Sequence, residues 1–297
     1  NFEHFPQDLP KWVAWYYKKY YPRFAKAAHK IVAVSNTTKQ DIISSYQIPS
    51  EKIRVVYNGV NAHYKPISLQ EKENIQQQIG VNKPYFLFVG SLHPRKNINR
   101  LIAAFQEFTK SDSSTDLVIV GAAMWKNTVI KIDPKIANRI HFLGHLETSA
   151  LAQIMGAATA FVYVPYFEGF GMPLAEAMAS HTPILAGDQS CLPEIAANAA
   201  LFVDPFDVDS IANGMKKMKN TLFAFVFLFT LIGKTVAQPE LRVYDGPNYC
   251  VGSQVWFGAI DSGKDNQWDF NGEGQSKLTF PKFTFKTAGN KTITFST

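Results

Sequence analysis

The 297-residue chain is 46% apolar and carries a formal net charge of +6. That apolar content excludes wholesale disorder, and the length accommodates two domains. The positive balance suits anionic partners (phosphates, nucleotides, acidic lipid), but with no zinc-ligand spacing and no aromatic-basic RNA signature a nucleic-acid partner is not expected. Two cysteines, Cys191 and Cys250, do not make a disulfide framework, and a reducing compartment suits the first two-thirds of the chain.

The chain opens at Asn1 rather than a methionine, which reads as a fragment. Residues 11–30 carry Lys11, Lys18, Lys19, Arg23, Lys26 and Lys30 without an acidic residue, interleaved with Trp12, Trp15, Tyr16, Tyr17, Tyr20 and Tyr21. A helix of this kind either lies on an anionic membrane surface or packs its aromatics on a neighbouring domain. Its poorly defined apolar face favours packing, and Pro22 is expected to interrupt it. Next come a strand at 31–34, Ser35 as a turn or cap, a helix at 38–46 and a strand at 53–57 that ends in Asn58-Gly59-Val60.

From Pro84 onward strands alternate with helices. The strands are expected at 86–90, 117–121, 140–143, 161–165, 184–187 and 201–203. Between the first two, Ile98, Leu101, Ile102, Phe105 and Phe108 fall on one helical face. This alternation predicts an α/β fold built on a doubly wound parallel sheet. Residues 124–137 carry no deciding pattern.

Two stretches carry chemistry. Gly90, Ser91, His93, Pro94, Arg95 and Lys96 follow the first of these strands. Two cations at a strand's carboxyl end, beside a helix start, make an electropositive socket for a diphosphate. The second stretch, 160–179, reads AFVYVPYFEGFGMPLAEAMA. A buried strand leads to Glu168, then to Gly169-Phe170-Gly171, two glycines that allow close backbone approach. Pro173 suits a helix start, and Glu176 lies one turn inside that helix. Both glutamates therefore open on the crevice at the strands' carboxyl ends, where open α/β sheets bind ligands. Helix N–H groups favour a phosphate there, and carboxylates hold sugar hydroxyls. His93 and His145 are expected in exposed loops near the crevice, His181 in a left-handed conformation at a helix end, and Cys191 as a small buried residue.

The string EGFGMPLAEAMA resembles the E-x7-E signature of retaining glycosyltransferases of the GT-B fold, in the large group 1 family (family four). The resemblance implies that 58–215 is the Rossmann-like, nucleotide-sugar-binding lobe. It makes Asn58-Gly59-Val60 the crossing between lobes and 1–57 a remnant of the N-terminal lobe. It further implies Glu168 as the catalytic-site residue on the donor sugar and Glu176 on the ribose hydroxyls. Backbone N–H groups around Gly169, Phe170, Gly171 and Met172 would meet donor oxygens, with Lys96 and Arg95 beside Gly90 on the diphosphate. Many members carry arginine directly after that glycine, where this chain has Ser91. The implied donor is a nucleoside diphosphate sugar, with a lean towards GDP-linked mannose. The implied acceptor is a saccharide or lipid-linked saccharide, and peripheral membrane contact is compatible with it. No cofactor or metal is expected: Asp207-Val208-Asp209 mimics a metal motif of another glycosyltransferase fold but begins a helix, which capping explains. A chain lacking most of the acceptor lobe is expected to be inactive alone. The rival readings are a non-catalytic binding or structural module and a GT-B sugar-nucleotide epimerase.

The pattern changes at Lys216. Residues 215–238 present a basic start, an apolar run at 222–232 and a small-residue site ending at Ala237, the pattern of a secretory signal peptide. Met215 or Met218 then reads as the start of a second protein, with 216–237 as leader. Residues 238–297 suggest short antiparallel strands. Trp268-Asp269-Phe270-Asn271-Gly272-Glu273-Gly274 and Phe283-Thr284-Phe285 resemble part of a PKD-type immunoglobulin-like β-sandwich, which implies extracellular adhesion or spacing. The expected location is cytoplasmic or at the membrane face for 1–215, and secreted for 238–297.

Overall fold

A computed structural model describes residues 2–122 and 130–231, and beyond them only the strands at 241–243, 254–259, 267–270, 275–276, 282–284 and 293–296. The chain divides into two compact units, Asn1–Val226 and Phe227–Thr297.

In the first unit, α1 (Lys11–Ala27) runs straight through Pro22, against the expected interruption. Ring pairs one turn apart lead up to the proline, Tyr16–Tyr20 at 4.8 Å and Tyr17–Tyr21 at 5.1 Å, and one spans it, Tyr20–Phe24 at 6.2 Å between centroids. These i,i+4 contacts offset the hydrogen bond that proline removes. Trp12, Trp15, Tyr16, Tyr21 and Phe24 remain exposed, so the described residues do not supply the expected packing surface. Strand β1 (Ile31–Ala33) pairs in parallel with β2 (Ile53–Val55), and α2 (Asn36–Tyr46) covers them. Ala33, Ile48 and Ile53 form a small core there with Ile42, Ile43 and Tyr46. Ser35 caps α2 as expected, its hydroxyl accepting from the Thr38 N–H at 3.0 Å.

Helix α3 (Leu69–Gln78) starts on a capping box between Ser68 and Glu71, a signal overlooked in the sequence. Six parallel strands follow: β3 (Tyr85–Val89), β4 (Asp116–Val120), β5 (Ile140–Gly144), β6 (Ala160–Tyr163), β7 (Ile184–Gly187) and β8 (Ala200–Val203). Each lies within two residues of its expected place. Their order is β5-β4-β3-β6-β7-β8. The chain builds outward from β3 in one direction, then crosses to β6 and builds the other way. The switch point lies between β3 and β6, and both strands are fully buried, as the apolar runs require. The apolar stripe of α4 (Ile98–Thr109) is buried as predicted. The remaining helices are α5 (Thr148–Ala157), α6 (Met172–Ala179), α7 (Leu192–Ala196) and α8 (Val208–Leu231).

Helix α8 carries the first unit past the boundary expected at residue 215. Ile211, Ala212 and Met215 are buried in the main core and Met218 packs against it. Lys219 pairs with Asp112 and donates to the Ser114 hydroxyl at 2.9 Å. Methionines 215 and 218 thus both contribute to the α/β core. The leader's small-residue site at Ala237, Cys250 and the Asn271–Gly274 part of the PKD-like string lie outside the described residues. The second unit contains β9 (Leu241–Val243), β10 (Gln254–Ala259) and β13 (Lys282–Thr284) in one antiparallel sheet. Strands β11 (Gln267–Phe270), β12 (Gln275–Ser276) and β14 (Ile293–Ser296) form another. Among the described residues no helix is long and apolar enough to cross a membrane.

The ends of β3 and β4 meet closely. Gly90 N–H donates to the Val120 carbonyl at 3.0 Å, and a Cβ on Gly121 would lie 1.9 Å from the Gly90 carbonyl oxygen. Gly121 also sits at φ +144°, a conformation side chains rarely adopt. Gly121→Ala is expected to cost about 2 kcal/mol or more in urea unfolding. Gly59→Ala, whose Cβ would meet nothing within 4 Å, is the control and should leave the midpoint in place.

Candidate active site

Glu168 stands five residues beyond Tyr163, the last residue of β6, at the carboxyl end of the sheet, and is 9% exposed. Its Oε1 accepts from Lys96 Nζ at 2.5 Å, Arg95 Nη1 at 2.6 Å and the Tyr163 hydroxyl at 2.8 Å. Lys96 Nζ also donates to the Tyr163 hydroxyl at 2.6 Å and lies 5.0 Å from the centre of its ring. Burial pushes the Lys96 ammonium below its ordinary pKa, while the Glu168 charge pulls the other way. Burial and then the Glu168 charge push the Tyr163 phenol well above its ordinary value. The two cations expected to form the electropositive socket are engaged by Glu168, and Lys96 is buried.

Local chemistry explains their placement. Pro94–Lys96 form a short 3-10 turn, which Asn97 ends in a left-handed conformation at φ 63°. The Asn97 amide donates to the carbonyls of Val164 at 2.9 Å and Pro205 at 2.6 Å. Tyr166 N–H donates to the Arg95 carbonyl at 3.1 Å. These bonds fasten the cationic loop to the end of β6. His93 departs from expectation: it is buried, and its Nδ1 accepts from the Arg95 N–H at 3.3 Å. Burial, with Arg95 adding to it, pushes its imidazole pKa down. His145 is exposed and His181 is left-handed, both as expected. The Cys191 thiol is buried, and burial, then the Glu168 charge, push it up to about 12.

Of the other predicted residues, Gly90 and Gly171 approach this cluster. A Cβ on Gly90 would meet the Lys96 side-chain carbons at 3.6 Å, so the lysine stem passes over that glycine. Gly171 caps α6 at φ 80°, and a Cβ there would lie 2.9 Å from Leu192. Phe170 is buried, its ring 6.2 Å from that of Tyr57, and Met172 opens α6 half-buried. Glu176 is held by Tyr64 instead: burial raises its carboxyl pKa and the hydrogen bond with the Tyr64 phenol opposes that rise. Asp207 accepts from the Asp209 N–H at 3.0 Å, which is the expected capping role.

A cleft of about 720 Å³ opens beside Glu168. Arg95, Phe167, Glu168 and Ser190 line one side; His4, Thr37, Asp41 and Ser44 line the other. His4 Nε2 lies 2.5 Å from Asp41 Oδ1, and the His4 and Phe167 rings are 5.2 Å apart. The two sides are joined by groups that sequence reasoning missed. The Gly169 carbonyl accepts from the hydroxyls of Ser35 at 2.6 Å and Thr38 at 3.0 Å. The Glu194 carboxylate accepts from the N–H of Asn36 at 2.6 Å and of Thr37 at 2.9 Å. It also accepts from the hydroxyls of Thr37 and Tyr57, both at 2.9 Å, and from the Asn36 side-chain amide at 3.1 Å. Glu194 thus caps α2 from 157 residues away, beyond the reach of any local spacing. Ser190, left-handed at φ 61°, exchanges hydrogen bonds with the backbone N–H and carbonyl of Glu168.

A doubly wound parallel sheet with a buried carboxylate-cation cluster at its switch point, beneath a second α/β element, defines a two-part ligand-binding scaffold. Comparison with known proteins narrows this. Residues 70–221 match the family described as Glycosyl transferases group 1, and residues 1–64 match Glycosyltransferase Family 4. The chain belongs to the group 1 glycosyltransferases. It is 33% identical over 209 residues to the O-antigen chain mannosyltransferase RfbU of Salmonella typhimurium, a match covering 68% of this chain and 56% of that protein. It is 30% identical over 212 residues to the O-antigen chain mannosyltransferase B of Escherichia coli, covering 70% and 56%. The chain spans about half the length of the curated relatives it matches. Its fold is similar to that of a glycosyltransferase from Rickettsia africae (TM-score 0.59, 22% identity, 72% of this chain and 58% of that one). It is also similar to Anabaena Alr3699/HepE in complex with UDP-glucose (TM-score 0.58, 22% identity, 66% and 55%). The α/β part thus resembles the lobes of GT-B glycosyltransferases.

Burial alone would raise the Glu194 carboxyl pKa, but the N–H groups of Asn36 and Thr37 and the two hydroxyls outweigh it and hold the value below the ordinary range. The stability this carboxylate gives is complete above the ordinary carboxylate pKa and is lost as pH falls through the depressed folded value. Glu194→Gln is expected to cost about 1–2 kcal/mol at neutral pH. The gap between wild type and variant should close as the pH drops through the acid range. A gap that stays constant in urea unfolding down to pH 3 would contradict a capping role for the charge.

Proposed function

We propose that the first unit binds a nucleoside diphosphate sugar and supplies the donor side of a retaining glycosyl transfer to a saccharide or lipid-linked acceptor. The observation that carries this reading is the convergence of Arg95 and Lys96 on Glu168 at the switch point, with the Gly169–Met172 backbone alongside. In this reading Lys96 and Arg95 neutralise the diphosphate as it leaves, and Glu168 holds hydroxyls of the donor sugar. The backbone N–H groups of Gly169, Phe170, Gly171 and Met172 meet donor oxygens. Glu176, positioned by Tyr64, takes the ribose hydroxyls. The bond from the anomeric carbon to the diphosphate oxygen breaks, and the acceptor oxygen bonds to that carbon on the same face. The acceptor's proton leaves with the nucleoside diphosphate. Such a step needs leaving-group stabilisation and positioning rather than a protein nucleophile. The O-antigen mannosyltransferase relatives support mannose as the first sugar to test, and the complex of HepE with UDP-glucose supports a nucleotide-linked donor.

Calorimetry with GDP-mannose and UDP-glucose tests this donor site separately from transfer. Lys96→Ala is expected to weaken binding by about tenfold or more and to flatten its salt dependence, because a charge-assisted contact is lost. Unchanged affinity and salt dependence would remove Lys96 from the donor site.

We also propose that 216–237, when made apart from the α/β core that Met218 and Lys219 join here, acts as a secretory leader joined to a PKD-like extracellular segment. Its basic start and the apolar run at 222–232 support this reading. When residues 218–297 are expressed in a secreting host, the exported product should begin at Gln238. Uncleaved retention in the cytosol would count against the leader.

A further inference from the structure

Glu168 Oε1 already accepts from three donors, Lys96, Arg95 and Tyr163, all within 2.8 Å. A carboxylate oxygen offers about two lone-pair sites, so three donors leave this one no capacity for a sugar hydroxyl. The two cations repel each other, and the shared anion is what lets them sit together with little solvent around Lys96. Their exposures differ: the Arg95 side chain is 25% exposed and lines the cleft, whereas that of Lys96 is 9% exposed. An anion entering the cleft meets Arg95 first and Lys96 behind it.

We propose that Glu168 is an internal stand-in for the donor's diphosphate: it holds Arg95 and Lys96 until a diphosphate takes them, and the exchange frees the carboxylate for the donor sugar. A diphosphate brings more charge and more acceptor oxygens than one carboxylate oxygen, so it wins both cations when it arrives. The nucleotide half of the donor thereby unlocks the site for the sugar half. A free hexose meets a carboxylate whose Oε1 is already taken by three donors, while a nucleoside diphosphate binds without its sugar. By linkage, a change in Glu168 that weakens its hold on the cations while leaving both cations in place tightens diphosphate binding. This inference rests on the donor-site reading above and adds the competition within it.

The test is calorimetric titration of the full chain with GDP, UDP and inorganic pyrophosphate. Glu168→Gln keeps the shape and removes the competing charge, so it is expected to bind these anions about three- to tenfold more tightly than wild type. Lys96→Ala should bind more weakly, and the double variant should lose the gain. If Glu168→Gln does not fold, as judged by circular dichroism, Glu168→Asp serves instead. It keeps the charge, shortens the reach and should show a smaller gain. Equal or weaker binding by the Glu168 variant, with Lys96→Ala still impaired, overturns the competition and leaves the donor site standing. If Lys96→Ala and Arg95→Ala both bind as wild type does, or if neither wild type nor Glu168→Gln binds any of the three anions, the donor-site reading itself falls.

Discussion

One carboxylate oxygen organises the centre of this protein. Placing Lys96 and Arg95 side by side under little solvent costs several kcal/mol per buried charge. Glu168 offsets that cost at 2.5 and 2.6 Å, and Tyr163 completes the arrangement from the end of β6. Two loops must meet for this to happen, one after β3 and one after β6, and these strands flank the switch point of the sheet. Asn97 and the Arg95 carbonyl tie the loops together through backbone groups. The close approach of Gly121 to Gly90 sets where the first loop departs. The charge cluster is therefore a consequence of the sheet topology as much as of the residues in it.

The same loop joins the β1–β2 element to the six-stranded sheet. The Gly169 carbonyl next to Glu168 accepts the hydroxyls of Ser35 and Thr38, and Glu194 closes the joint by capping α2. Ser190 sits between these two sets of contacts and fixes the Glu168 backbone. A shift of α2 would thus be felt at the carboxylate through one residue of backbone. This explains how a cleft lined by both parts of the chain ends at the charged cluster.

Much of the sheet was legible because its strands are short, mostly apolar runs separated by turn residues, and because α4 carries an unbroken stripe. The order of the strands was not legible; it followed only from the pairing. The glutamates and glycines of 168–176 stood out since their spacing is local. The partners of those residues did not. Lys96 reads as a basic loop residue in sequence, and its pairing with a carboxylate 72 residues away emerges only when β3 and β6 lie side by side. Nothing local in the sequence marks Glu194, in the first turn of α7, as a partner of α2, yet its hydrogen bonds reach there. Pro22 misled because ring pairs flanking it have no weight in a rule about proline alone. The boundary expected at residue 215 also moved: α8 is anchored in the core by Met215 and Met218, whereas the sequence signal there is a change of composition that does not register packing.

The most direct measurement of the central claim is a crystal structure of the chain with GDP-mannose or UDP-glucose bound. The account predicts Lys96 Nζ and the Arg95 guanidinium on phosphate oxygens, the Glu168 carboxylate on sugar hydroxyls, and Glu194 still on the N-terminus of α2. A nucleotide sugar bound elsewhere, with both cations unmoved on Glu168 Oε1, would contradict it.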